Sequence, residues 1–116
     1  MIQNQDELFS KSQYELASTA AVLNGVVFGF IDELSQWFEN KGLSSNQARD
    51  IVIHTLRSAT GLADFKQNQT LKEINNSIAT SGTYTKRAQE LIIEKNGFKS
   101  WTDTCSLIQK ELTKPL

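Results

Sequence analysis

The sequence of 116 residues contains one proline (Pro115), one cysteine (Cys105) and one histidine (His54). Each shortage excludes something. A lone cysteine rules out an internal disulfide and accords with a reducing cytoplasm, which is the expected location. A lone histidine, with no cysteine or carboxylate partners at ligand spacing, cannot assemble a zinc site, so no metal is expected. With no proline before the extreme C-terminus, no ring clash interrupts a helix. Nor does any Ser/Gly-rich linker divide the chain, and residues 1–116 read as a single domain. The six glycines stand at 25, 29, 42, 61, 82 and 97. Neither G-x-G-x-x-G nor G-x-x-x-x-G-K-[ST] can be drawn through them, so no dinucleotide cofactor is expected to bind to this chain alone.

An excess of one charge is missing too. Lys plus Arg total 12 against 13 Asp plus Glu. A near-neutral chain exerts little long-range pull on phosphate backbones or anionic lipid, and none of its helical segments is strongly basic. A nucleic-acid partner, including one met through a helix-turn-helix, is disfavoured. The start, residues 1–7, is polar and acidic and does not read as a secretory signal. The most apolar stretch, residues 19–31, contains Asn24 and is closed by Asp32 and Glu33. At 13 residues it is too short to span a bilayer, so a buried helix rather than a membrane helix is expected.

What is present is helical periodicity. Leu16, Ala20, Leu23, Val27, Ile31, Leu34 and Phe38 step by three or four, which predicts one long helix over about 12–41 with Lys41 and Gly42 as its stop. Val22, Val26 and Phe30 add a second stripe beside the first. A helix that is apolar on several sides is either central to its own domain or lies in a subunit interface. Ser44 and Gln47 have the spacing of a capping box, opening a helix with Ala48, Ile51, Val52, Thr55, Ala59 and Leu62 on one face. A short helix with Leu71, Ile74 and Ile78 follows, then one over about 84–95, stopped by Asn96 and Gly97. A last helix carries Trp101, Cys105, Ile108 and Leu112. No run alternates as a strand. The fold class is all-α, with five or six helices around one long central helix.

The residues that stand out chemically have plain alternatives. Residues 80–85 place three threonines and a serine around Gly82, immediately before a helix. Free amides at a helix N-terminus with hydroxyls beside them suit a carboxylate or phosphate. Capping by Ser81 or Thr83 is the simpler reading. Gly25 and Gly29 share a helix face, which favours close approach of another helix. His54 follows Asp50 by four residues, as in a helix-surface ion pair. Cys105, Trp37 and Trp101 fall on apolar stripes as core or interface residues. Asp32–Glu33 and Asp6–Glu7 are adjacent pairs; neighbours on a helix point about 100° apart, so neither forms a carboxylate dyad.

Four stretches also carry a family likeness: residues 28–34 (Phe-Gly-Phe-Ile-Asp-Glu-Leu), the turn at Gly42 and Leu43, residues 78–85 (Ile-Ala-Thr-Ser-Gly-Thr-Tyr-Thr), and Asn96-Gly97-Phe98. Together, over roughly residues 14–112, they resemble the C-terminal dimerisation domain of pyrroline-5-carboxylate reductases. The 78–85 stretch is similar to that family's V-[ST]-S-P-G-G-x-T, and 96–98 to its G-G-F. The resemblance implies an intertwined homodimer and, in a full-length enzyme, an N-terminal Rossmann domain with NAD(P)H. It further implies that Thr80, Ser81, Gly82 and Thr83 bind the carboxylate of a cyclic imine, with Thr85 as the proton donor. The sequence departs from the family where S-G-S-G-P-A is replaced by residues 20–25, Ala-Ala-Val-Leu-Asn-Gly. It departs again at Ser81 and Thr83, which stand for a proline and a glycine. A stand-alone helical homodimerisation or adaptor module without catalysis is the rival expectation.

Overall fold

The computed structural model describes residues 10–113; the acidic start with Asp6 and Glu7, and Pro115, lie outside the described residues. Five helices and no strand occur among them: α1 (Lys11–Asn40), α2 (Ser45–Phe65), α3 (Leu71–Ile78), α4 (Tyr84–Glu94) and α5 (Gly97–Thr113). The all-α expectation is met, with five helices.

Local chemistry sets the boundaries. The Ser44–Gln47 capping box is formed: Gln47 N donates to Ser44 Oγ at 3.2 Å and Ser44 N to Gln47 Oε1 at 3.0 Å. Two further boxes open α1 and α3. Ser10 pairs with Gln13, and Thr70 with Glu73. Both have the same Ser/Thr-x-x-Gln/Glu spacing and were legible in the sequence. The Thr70 amide and hydroxyl hold the Glu73 carboxyl below its ordinary value of 4.5. At the far end of α1, Leu43 N donates to Phe38 O and Gly42 N to Glu39 O, with Gly42 at φ +114. That double bond is the Schellman pattern, and it turns the chain back into α2. Between α4 and α5 the corner is tight. Asn96 takes φ +57, and a Cβ on Gly97 would come within 2.5 Å of Ile92 Cγ2, so only glycine fits there.

The long helix is the hub. It packs against α2 on one side and α5 on another, and α5 in turn packs against α4. Phe30 and Trp101 meet edge to face at 5.9 Å between ring centroids, fixing α5 against α1. The short α3 is tied to α4 by Gln89 Nε2 donating to Asn75 Oδ1 at 2.7 Å.

One expectation is overturned within the protomer: α1 is not a buried helix. Its buried residue is Thr19, whose hydroxyl donates to Glu15 O at 2.8 Å. Leu23, Ile31, Leu34 and Phe38 of the expected stripe are half-buried, whereas Leu16 and Val27 are exposed, as are Val22, Val26, Phe28 and Phe30. The reason is a shortage of neighbours, since two helices cannot cover all sides of a 30-residue one. The core is correspondingly small: Ala48, Val52, Ile74 and Ala79 are its buried apolar residues. The chain exposes 9751 Å², against about 6,300 Å² for a compact monomer of its mass. Its radius of gyration is 17.6 Å, against about 13 Å for a compact chain of this length.

Candidate functional site

Two surfaces are candidates: the apolar face of α1, and the loop before α4. The first is defined by what leaves it bare. α2 covers the side of α1 carrying Phe28, Ile31, Asp32 and Ser35, where the two helices flank a groove of about 290 Å³. α5 covers the side carrying Leu23 and Val26, around a smaller cavity of about 120 Å³ with Trp101. Phe28 nevertheless keeps 68% of its surface, and Val22 and Val26 about two-fifths of theirs. Gly25 and Gly29 are exposed, and a Cβ added to either meets nothing within 4 Å. The close helix approach expected of these glycines is therefore not made inside the protomer. By length and composition alone, α1 is also apolar enough to cross a membrane. The 13-residue apolar run understates the helix, which continues well beyond it on both sides. A helix that buries its apolar face against a second subunit passes the same test.

The second surface is built by caps. Residues 80–83 form a turn in which Thr83 N donates to Thr80 O at 3.2 Å, with Gly82 at φ +86. A positive φ at the third position is the type II signature, and it demands glycine. Thr83 is the N-cap of α4. Its Oγ1 accepts from Lys86 N at 3.1 Å and donates to Thr80 O at 2.7 Å. The simple capping reading therefore holds for Thr83, whose hydroxyl is committed. The first two helical amides, on Tyr84 and Thr85, have no intrahelical acceptor. Tyr84 is 94% exposed and Thr85 is exposed.

Ser81, Gly82 and Thr83 line one shallow depression of about 300 Å³ together with Tyr84, Lys86, Arg87 and Glu90. Thr80 contributes its carbonyl to the turn, and Thr85 lies on the first turn of α4, outside the lining. Lys86 and Arg87 were not singled out in the sequence. Two cations in the first turn of a helix run against the macrodipole, and the carboxylate of Glu90 lies in the same lining, one turn on.

The remaining candidates take structural roles. His54 is exposed, and no ion pair joins it to Asp50; the ion pair among the described residues is Lys99–Asp103 at 3.0 Å. Cys105 is half-buried on α5, and Trp37 is half-exposed beneath Lys41, whose Nζ lies 5.6 Å from its ring centroid. Asp32 accepts from Gln36 Nε2 at 3.0 Å and forms no dyad with Glu33. Among the described residues no group of three His, Cys, Asp or Glu side chains is placed to hold a metal ion.

Comparison with known proteins agrees with the bare helix. A family model described as pyrroline-5-carboxylate reductase dimerisation matches residues 16–108, which spans α1 from its second turn through most of α5. No curated protein and no solved structure matches the chain. A match over four-fifths of the sequence, on an all-α protomer whose longest helix lacks cover, settles the relationship: the chain belongs to the pyrroline-5-carboxylate reductase dimerisation family.

Proposed function

We propose that this chain is the dimer-forming and substrate-binding part of an NAD(P)H-dependent reductase acting on a cyclic imine with a carboxylate, the product being of the proline type. The single observation behind the substrate half is the depression beside α4. There, Ser81, the first helical residue Tyr84, and two cations, Lys86 and Arg87, line the turn that resembles the family's carboxylate-binding loop, together with the carboxylate of Glu90. Amides at a helix N-terminus bind a carboxylate through direct hydrogen bonds and the positive end of the macrodipole. Nearby cations strengthen those bonds. In this reading Thr85, on the first turn, is the hydroxyl that supplies a proton to the imine nitrogen.

The cofactor would supply reducing equivalents from a separate Rossmann domain, and cytoplasmic location is part of the same reading. The chain's share is to hold the carboxylate, orient the ring and join two subunits.

The committed Thr83 hydroxyl favours one alternative. A turn whose hydrogen bonds are largely satisfied within itself also fits a dimerisation or adaptor module with no substrate. Amide NMR of the labelled chain titrated with L-proline separates the two. The reductase reading expects shifts confined to Ser81, Gly82, Tyr84 and Thr85, lost in Arg87→Ala. A spectrum unchanged at millimolar L-proline sinks it and leaves the adaptor. The isolated chain should in either case show no turnover with NADPH.

A further inference from the structure

The turn between α3 and α4 is held from both sides, and part of the hold comes from a bond that spans 14 residues. The closely packed helix pairs are α1 with α2, α1 with α5 and α4 with α5, and α3 belongs to none of them. Ile74 on α3 and Ala79 just past its end are nevertheless buried, each 7% exposed, so α3 docks through a narrow apolar patch. Beside that patch stands Asn75. Its main-chain carbonyl accepts from Ala79 N at 2.8 Å and closes α3, while its side-chain Oδ1 accepts from Gln89 Nε2 at 2.7 Å. Gln89 is half-buried on the second turn of α4.

The helix caps act over three residues; this bond ties the helix before the turn to the helix after it. Between the tied residues lie Thr80, Ser81 and Gly82, all exposed, and the glycine gives the loop extra backbone freedom. Fixing such a loop costs backbone entropy, which weakens ligand binding unless the loop is already ordered. Both partners in the bond are neutral amides, so salt does not screen it as it screens Lys99–Asp103.

We infer that Asn75 and Gln89 are positioning residues: their hydrogen bond latches α3 to α4 and keeps the 80–83 turn in its type II form before a carboxylate arrives. The carboxylate half rests on the substrate-binding reading above; the ordering of the turn does not. A hydrogen bond of ordinary net strength shifts an equilibrium by about 2- to 10-fold, which sets the size of the effects expected.

Amide hydrogen exchange and L-proline titration, both by NMR on the full 116-residue chain, test the latch and the positioning separately. The reporter amide is Thr83, which donates to Thr80 O within the turn. Gln89→Met keeps length and helix propensity but loses the donor, and should speed Thr83 exchange by about 2- to 10-fold. Asn75→Leu should do the same, whereas Asn75→Asp, which keeps an acceptor, should stay within about twofold of wild type. Combining Gln89→Met with Asn75→Leu should add nothing further, because both remove the same bond. Exchange within α1 and α2 should not change. The L-proline dissociation constant should rise by about 2- to 10-fold in Gln89→Met, with the same residues shifted.

Thr83 exchange that is unchanged in Gln89→Met, or a double variant whose effects sum, overturns the latch. A loosened turn that binds L-proline with wild-type affinity overturns the positioning role. A wild type that does not bind L-proline overturns the substrate reading and the positioning role with it, while the exchange series still decides the latch.

Discussion

The long helix and the loop before α4 are opposites. α1 carries Val22, Val26 and Phe28 into solvent and holds two glycines that touch nothing, so its chemistry is incomplete in one copy. The 80–83 turn closes its own hydrogen bonds through Thr83 and Gly82, so its chemistry is largely complete in one copy. A surface left unsatisfied by its own chain announces a partner. A surface satisfied by its own chain does not announce a ligand, even where one binds. That is why the dimerisation role is carried by both the family match and the bare helix, whereas the proposed substrate binding is carried by a resemblance and the cations Lys86 and Arg87.

Substitutions should divide along the same line. The largest effect is expected at α1. Phe28→Asp removes apolar burial worth about 2 kcal/mol and puts a carboxylate in the contact. The dimer constant should weaken by about 100-fold or more in sedimentation equilibrium. Protomer stability should change by less than about 0.5 kcal/mol, because Phe28 is mostly exposed there. In the loop, Gly82→Val forces a β-branched residue to φ +86. It should cost about 1–2 kcal/mol in urea unfolding while leaving the dimer mass unchanged. Thr83→Ala, which removes the α4 cap, should cost about 1 kcal/mol and likewise spare the dimer. A loop variant that dissociated the subunits would erase the contrast.

The smallest effect is electrostatic. Hydrogen bonds from Thr70 hold the Glu73 carboxyl below its ordinary 4.5. The stabilisation is therefore fully present above that value and is lost as pH falls through the lower folded value. Thermal melts of wild type and Glu73→Gln should run in parallel from neutral pH to about 5 and converge below 4.5. A difference that instead grew with acid would reverse the assignment.

Much of the fold was readable because helices depend on local signals. The Ser44–Gln47 box, the Lys41–Gly42 stop, the Asn96–Gly97 corner and the three- and four-residue stepping all act over a single turn, and each is found in the structure. The boxes at Ser10 and Thr70 show the same signal. Burial was less legible. The apolar stripe of α1 predicts that something covers it, but periodicity does not say whether the cover comes from the same chain, and for Leu16 and Val27 it does not. The site was least legible of all. Thr83 and Gly82 look alike whether they cap a helix or hold a carboxylate, since both roles use the same open amides. Lys86 and Arg87 lie beside the turn, but Glu90 shares the same lining, so charge does not separate the two roles either.

The account stands on the association of two copies. Sedimentation equilibrium of the unmodified chain at micromolar concentration measures it directly. A species of twice the 13.0 kDa protomer mass is predicted. A stable 13.0 kDa monomer with its helicity intact would contradict it.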